Sequence, residues 1–171
     1  DFVPSRGLGD VYKRQRQMTT GSHIPATLDL TPSKDSRLAE LNEIGFNHLI
    51  GLSLLRWTEQ DCLTSLDISP SHLNPAGLVH GGVFSTMLDV SLAMSGSYSQ
   101  PPLYLMPGLT LNLNTQFIGA ATNDDIKVYA TARKTGGGRS VFFASGEVFT
   151  PDGRILASAT GTFKPGRQPS S

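Results

Sequence analysis

The chain has 171 residues, 38% of them hydrophobic and 16% charged, with no formal net charge. That length suits a single domain, and 14 Lys+Arg balanced by 14 Asp+Glu argue against bulk nucleic-acid binding, which needs many phosphate contacts. No stretch approaches the roughly 20 apolar residues that span a bilayer, and one cysteine, Cys62, allows neither an intramolecular disulfide nor a thiolate metal cluster.

These features describe a soluble protein of a reducing, cytoplasmic compartment, with no membrane partner and with Cys62 as a buried structural thiol. The charges are unevenly placed. Through Ile126 there are 7 Lys+Arg and 12 Asp+Glu, and beyond it 7 and 2. The C-terminal part therefore has room for a local site that holds a few phosphates, although acidic residues spread over loops and a helix would leave the same imbalance.

Residues 1–35 hold Pro4, Pro25 and Pro32 with several Gly, Ser and Thr residues and no hydrophobic period, which predicts a disordered leader. The string from Arg6 to Gln15 resembles translated adapter sequence, so residues 1–17 are expected to be non-native and Met18 to be the start. The domain is expected over residues 36–164, with residues 165–171 as a flexible tail.

Ser36 reads as a helix cap before Arg37–Ile44, and Gly45 as its stop. Leu52–Trp57 and Cys62–Ile68 alternate around the polar turn 58–61 and predict a β-hairpin. From Gly82 to Ser97 apolar residues occur on nearly every side, the mark of a helix buried within a domain. Leu109, Leu111, Leu113 and Phe117 alternate with polar partners, as do Ile126, Val128, Ala130 and Ala132, so both segments read as strands. Gly136-Gly137-Gly138 predicts a turn. Pro151-Asp152-Gly153 then joins two further strands, Val141–Thr150 and Arg154–Phe163. One buried helix among strands joined by short turns predicts an α+β fold, an antiparallel sheet wrapped around one long central helix.

The chemistry concentrates where a strand hands over to that helix, in Asn74-Pro75-Ala76-Gly77-Leu78-Val79-His80-Gly81-Gly82. Free N–H groups at a helix start and the positive end of its dipole favour an oxygen that gains negative charge, and two glycines let a ligand approach them. Close packing of the helix would ask for the same glycines. Asp89, flanked on its helix face by Leu92 and Ala93, is a carboxylate in an apolar setting, so it is hydrogen-bonded, exposed, or poised as a base or nucleophile.

Asn-x-x-Gly-x-x-His-Gly-Gly followed by an Asp on the helix resembles the hotdog-fold acyl-CoA thioesterases related to the phenylacetate-pathway enzyme. The resemblance continues through Thr110-Leu-Asn-Leu-Asn-Thr-Gln-Phe, the Gly-Gly-Gly-Arg139-Ser turn and Asp-Gly-Arg-Ile-Leu-Ala. It implies hydrolysis of an acyl-CoA thioester without metal or other cofactor, coenzyme A being part of the substrate. Asp89 would be nucleophile or general base, the Gly81 N–H would polarise the carbonyl, Asn74 would position water or thioester, and His80 would orient the loop. A hydroxyl projecting from a partner subunit assists the water in such enzymes, and Thr110 is the candidate. Gly82 and the cluster Arg133, Lys134, Gly137, Gly138, Arg139 and Ser140 would bind the substrate, the charges taking the coenzyme A phosphates. Solvated strand-end charge explains the same cluster equally well. The resemblance also implies a homodimer, paired again as a dimer of dimers, and Ser91 and Ser95 on the helix face opposite Asp89 point to such contact between chains.

Other readings are a hotdog acyl-thioester hydratase or dehydratase, whose motif is not seen, and a non-catalytic acyl-CoA-binding domain. A serine esterase lacks its Gly-x-Ser-x-Gly. His23, His48, His72 and His80 have no metal-ligand spacing. The acyl group is not legible, although Phe46, His48, Leu49, Phe84, Met87 and Met106 are candidates to line its pocket.

Overall fold

A computed structural model describes residues 29–98 and 108–166. Two short helices, α1 (Ser36–Asn42) and α2 (Gly45–Leu49), lead into the hairpin β1 (Leu52–Trp57) and β2 (Cys62–Asp67). The long helix α3 (Gly81–Ser95) follows, then β3 (Leu109–Phe117), β4 (Lys127–Gly137), β5 (Phe142–Phe149) and β6 (Ile155–Lys164). The strands form one sheet in the order β1-β2-β4-β5-β6-β3, antiparallel at every junction.

Strand alternation explains how the sheet holds the helix. Val128, Ala130 and Ala132 of β4, with Phe142, Ala144 and Val148 of β5, project from one face and bury against Phe84, Met87, Leu88 and Leu92 of α3. Alanines at the centre let the helix sit close, and the larger side chains fill its flanks. Cys62 is wholly buried, and that burial pushes its thiol far up, with Asp61 adding to the shift and Arg56 opposing it. It is an inert core group.

The N-terminal side differs from the expected organisation. Contacts reach back before Ser36, with the Ser33 N–H donating to Leu55 O at 2.7 Å and Arg56 Nη1 donating to Asp29 O at 2.6 Å. Leu30 packs on Leu63 and Phe149. Most of the expected leader, with Met18, lies outside the described residues, as do residues 167–171 of the tail. Asp35, not Ser36, caps α1, accepting from the Arg37 N–H at 3.0 Å. Gly45, at φ +66, reverses the chain and also begins α2, a helix too short to show a period in the sequence.

The β4–β5 connection is also displaced. Gly136 and Gly137 belong to the end of β4, and the turn spans Gly138 to Val141, closed by the Gly138 N–H donating to Val141 O at 2.7 Å. The Pro151–Gly153 hairpin turn forms as expected, with Gly153 at φ +85 and its N–H donating to Thr150 O at 2.8 Å.

Candidate active site

Asn74 begins the loop that delivers the chain to α3. Its side-chain Oδ1 accepts from the Ala76 N–H at 2.9 Å and the Leu78 N–H at 3.2 Å, while Gly77 turns the chain at φ +75. The loop is tied to the body through the Val79 N–H, which donates to Ala121 O at 2.8 Å, and the His80 N–H, which donates to His72 O at 2.8 Å. In this chain Asn74 is a turn-forming residue, its carbonyl oxygen committed to the backbone.

His80 is the N-cap of α3. Its Nδ1 accepts from the Gly82 N–H at 2.9 Å, which places the proton of the neutral ring on Nε2. The Val83 N–H is taken by His80 O at 2.9 Å, so among the described residues the Gly81 N–H is the first-turn donor left open beside them. The two glycines also serve packing. A Cβ on Gly82 would stand 2.8 Å from His80 Nδ1, and one on Gly81 would stand 3.0 Å from the Phe117 ring. Close packing and an open donor are therefore both present, and Phe117 is a neighbour of the helix start that sequence reading missed.

Asp89 is half-buried in the middle of α3, and Thr110 Oγ1 donates to its Oδ1 at 2.7 Å. Thr110 reaches Asp89 from β3 of the same chain. Oδ2 has no hydrogen-bond partner among the described residues. The pair stands at the wall of a cavity of about 330 Å³, lined by Leu41, Ile44, Leu52, Leu54, Val90, Ala93 and Met94 among others. Ala93 shares the Asp89 face four residues on, as expected, but Leu92 turns into the core.

Phe84 and Met87 are core residues, and Phe46 and Leu49 are exposed, so none of them lines this cavity. His48 is exposed, with Nδ1 beside Asn42 O at 3.1 Å, and Met106 lies outside the described residues. Ser91 and Ser95 do not face a second chain. Both are buried, Ser91 Oγ bonded to Thr64 Oγ1 at 2.9 Å and Ser95 Oγ donating to Leu92 O at 2.8 Å.

The basic cluster is split by strand alternation. Arg133 lines a polar trough on the outer face of the sheet with Thr131, Ser145 and Glu147, whereas Lys134 Nζ stands 5.8 Å from the Phe142 ring centroid on the helix side. Arg139 and Ser140 are exposed in the turn after Gly137 and Gly138. No group of three or more metal-ligating side chains is found among the described residues.

A six-stranded antiparallel sheet around one long helix defines the hotdog class of folds. The profile of the "Thioesterase superfamily" matches residues 76–157. The Pseudomonas aeruginosa protein PA0474, named as a candidate esterase, is 32% identical over 106 residues, covering 61% of this chain and 75% of its own. The chain belongs to the thioesterase superfamily. Zebra fish thioesterase superfamily member 2 superposes with a TM-score of 0.65 at 23% identity, over 81% of this chain and 100% of that one. A hypothetical thioesterase of Streptococcus pneumoniae solved with coenzyme A gives 0.57 at 21%, over 68% and 88%. A mutant form of the phenylacetic acid degradation protein PaaI of Thermus thermophilus gives 0.57 at 23%, over 70% and 97%.

Proposed function

We propose that the protein hydrolyses an acyl-CoA thioester to a free acid and coenzyme A, with Asp89 as its catalytic carboxylate. The carrying observation is the Asp89–Thr110 pair at the wall of an apolar cavity. The Thr110 hydroxyl holds Oδ1, which leaves Oδ2 to take a proton from water or to attack the carbonyl itself. Water supplies hydroxide to the acyl carbon and a proton to the departing thiolate. Membership of the superfamily supports this chemistry, and the neighbour solved with coenzyme A supports the choice of thioester.

The proposed oxyanion donor is the Gly81 N–H, and its position argues for a dimer. Asp89 lies eight positions beyond Gly81 on α3, a rise of about 12 Å. One thioester carbonyl cannot meet both groups of the same helix. A second chain whose helix start faces Asp89 would complete each site. The sheet edges favour that arrangement. The Asn42 side chain and Ser33 cover β1 by bonding the Leu54 and Leu55 backbone, whereas among the described residues β3 is an open edge that exposes Leu109, Leu111 and Phe117.

Lys134 and Arg139, with the backbone of Gly137, Gly138 and Ser140, take the coenzyme A phosphates, while Arg133 lies on the other face of the sheet. Thiol release from a panel of acyl-CoA esters tests the activity, and no release from any ester would reject it. Arg139→Ala is expected to raise KM for acyl-CoA more than for a short thioester without the nucleotide, and equal effects would return Arg139 to solvated charge.

A further inference from the structure

His72 is buried, and the proposed chemistry makes no use of its ring. It ends the single turn Pro70–His72. Ile50 O lies 2.9 Å from Nε2 and can only accept, while the Ser69 N–H donates to Nδ1 at 3.0 Å, so the ring is neutral with its proton on Nε2. Both ring nitrogens are spent inside the fold, and a buried polar group bonded at every end specifies one arrangement of the parts it joins.

Those parts are two that the site needs. On the backbone side, the Asn74 N–H donates to Leu78 O at 2.7 Å, Leu73 pairs with Val79, and the His80 N–H donates to His72 O at 2.8 Å. The excursion from Asn74 to Leu78 thus closes on His72, whose backbone partner is the N-cap of α3, one step before the Gly81 N–H. On the ring side, Ile50 ends α2 and packs on the core two positions before Leu52, which lines the Asp89 cavity. Among the described residues no other hydrogen bond joins residues 69–80 to residues 44–57. One side chain therefore ties the start of α3 to the cavity wall. A donor displaced by about 1 Å from its line to a carbonyl can cost about 100-fold in rate.

We infer that His72 is a positioning residue of the proposed thioesterase, its Nε2 bond to Ile50 fixing where the Gly81 N–H stands. The inference rests on the thioesterase reading for its effect on rate, and its test separates the two. Three variants of the full-length protein isolate the Ile50 bond. In His72→Gln the amide nitrogen reaches about as far as imidazole Nε2 and keeps a donor for Ile50 O. His72→Asn is shorter and keeps only an acceptor for the Ser69 N–H, and His72→Met fills the space with neither. Glycine-selective 15N labelling reads the Gly81 amide by NMR, and thiol release from acyl-CoA reads kcat and KM.

The imidazole ring current is lost in all three, so His72→Gln is the reference for the resonance. Relative to it, Asn and Met should displace the Gly81 amide signal and, well below their melting temperatures, lower kcat about 10- to 100-fold with KM nearly constant. Gln should restore most of the unmodified kcat. Resonances and kcat alike in all three variants overturn the inference, as do a displaced resonance with kcat unchanged and a loss confined to melting temperature or to KM. If the unmodified protein releases no thiol from any ester, the thioesterase reading fails by itself. A Gly81 signal that still follows the Ile50 bond then sustains the placement of the helix start by His72, and one indifferent to that bond overturns it.

Discussion

At the scale of single residues, Asp89 and Thr110 depend on each other through one hydrogen bond. Asp89→Asn keeps the shape and removes both the charge and the proton acceptor, so kcat is expected to fall about 10²- to 10⁴-fold. A purely structural Asp would instead lose thermal stability with turnover per folded molecule unchanged, and measuring both on one preparation decides between them. Thr110→Val removes the hydroxyl that orients Oδ1 while preserving volume. Hydrogen bonds to charged groups contribute about 1.5–3 kcal/mol, so kcat should drop about 10- to 100-fold with KM nearly constant. Thr110→Ser, which restores the donor, should recover most of it. A Val variant with normal kcat would leave the Thr110 bond without a catalytic part.

At the scale of elements, the β1–β2 hairpin is closed by an ion pair whose pH dependence has a definite sign. Burial pushes the Asp61 carboxyl up, but Arg56 donates to both its oxygens at 3.2 and 2.8 Å and Thr58 Oγ1 stands 2.9 Å from Oδ1, and together they hold it below its ordinary value of 3.8. A carboxyl depressed by folding contributes stability above its unfolded value and loses it as the pH falls through its folded one. The gap in urea midpoint between the unmodified protein and Arg56→Met should therefore be widest at neutral pH and shrink below about pH 4. A gap independent of pH would mean that Arg56 acts by packing alone. Ile126, before β4, gives a second element-scale case. It is 70% exposed yet sits at φ +59, where a β-branched residue is strained. Ile126→Gly should raise stability by about 1 kcal/mol, seen as a melting temperature a few degrees higher.

The same elements show what the sequence made legible. Long alternating segments and the apolar run of α3 were readable because each repeats a period over many residues, and Asn74–Gly82 was readable because its turn and cap chemistry is local. Ile44, Asn47, Leu52 and Leu54 were not. They reach the Asp89 cavity only because α2 folds back on β1, and a five-residue helix has no period to betray it. Arg133 and Lys134 were grouped by adjacency, whereas successive strand residues face opposite ways. Ser91 and Ser95 looked outward because polarity on a helix usually does, and here each finds a hydrogen-bond partner inside the core.

At the scale of the whole molecule, the proposal requires two chains, and one mixing experiment tests it. Gly81→Pro removes the N–H proposed to polarise the carbonyl, at a first helical position where proline is well tolerated. His80 before it is already extended at φ −63 and ψ 135, as a residue preceding proline should be, and the added ring displaces only the exposed Phe117 side chain. Alone, Gly81→Pro and Asp89→Asn should each be folded and nearly inactive. If each site joins Asp89 of one chain to Gly81 of the other, a mixed dimer has one site with both defects and one with none. Random pairing of equal amounts then restores about a quarter of the unmodified activity, since half the dimers are mixed and half their sites intact. If Asp89 and Gly81 of the same chain acted together, every site in the mixture would carry at least one defect. Co-refolding the two variants and assaying thiol release distinguishes these cases, and a mixture no more active than its components would reject the shared site even if a dimer forms.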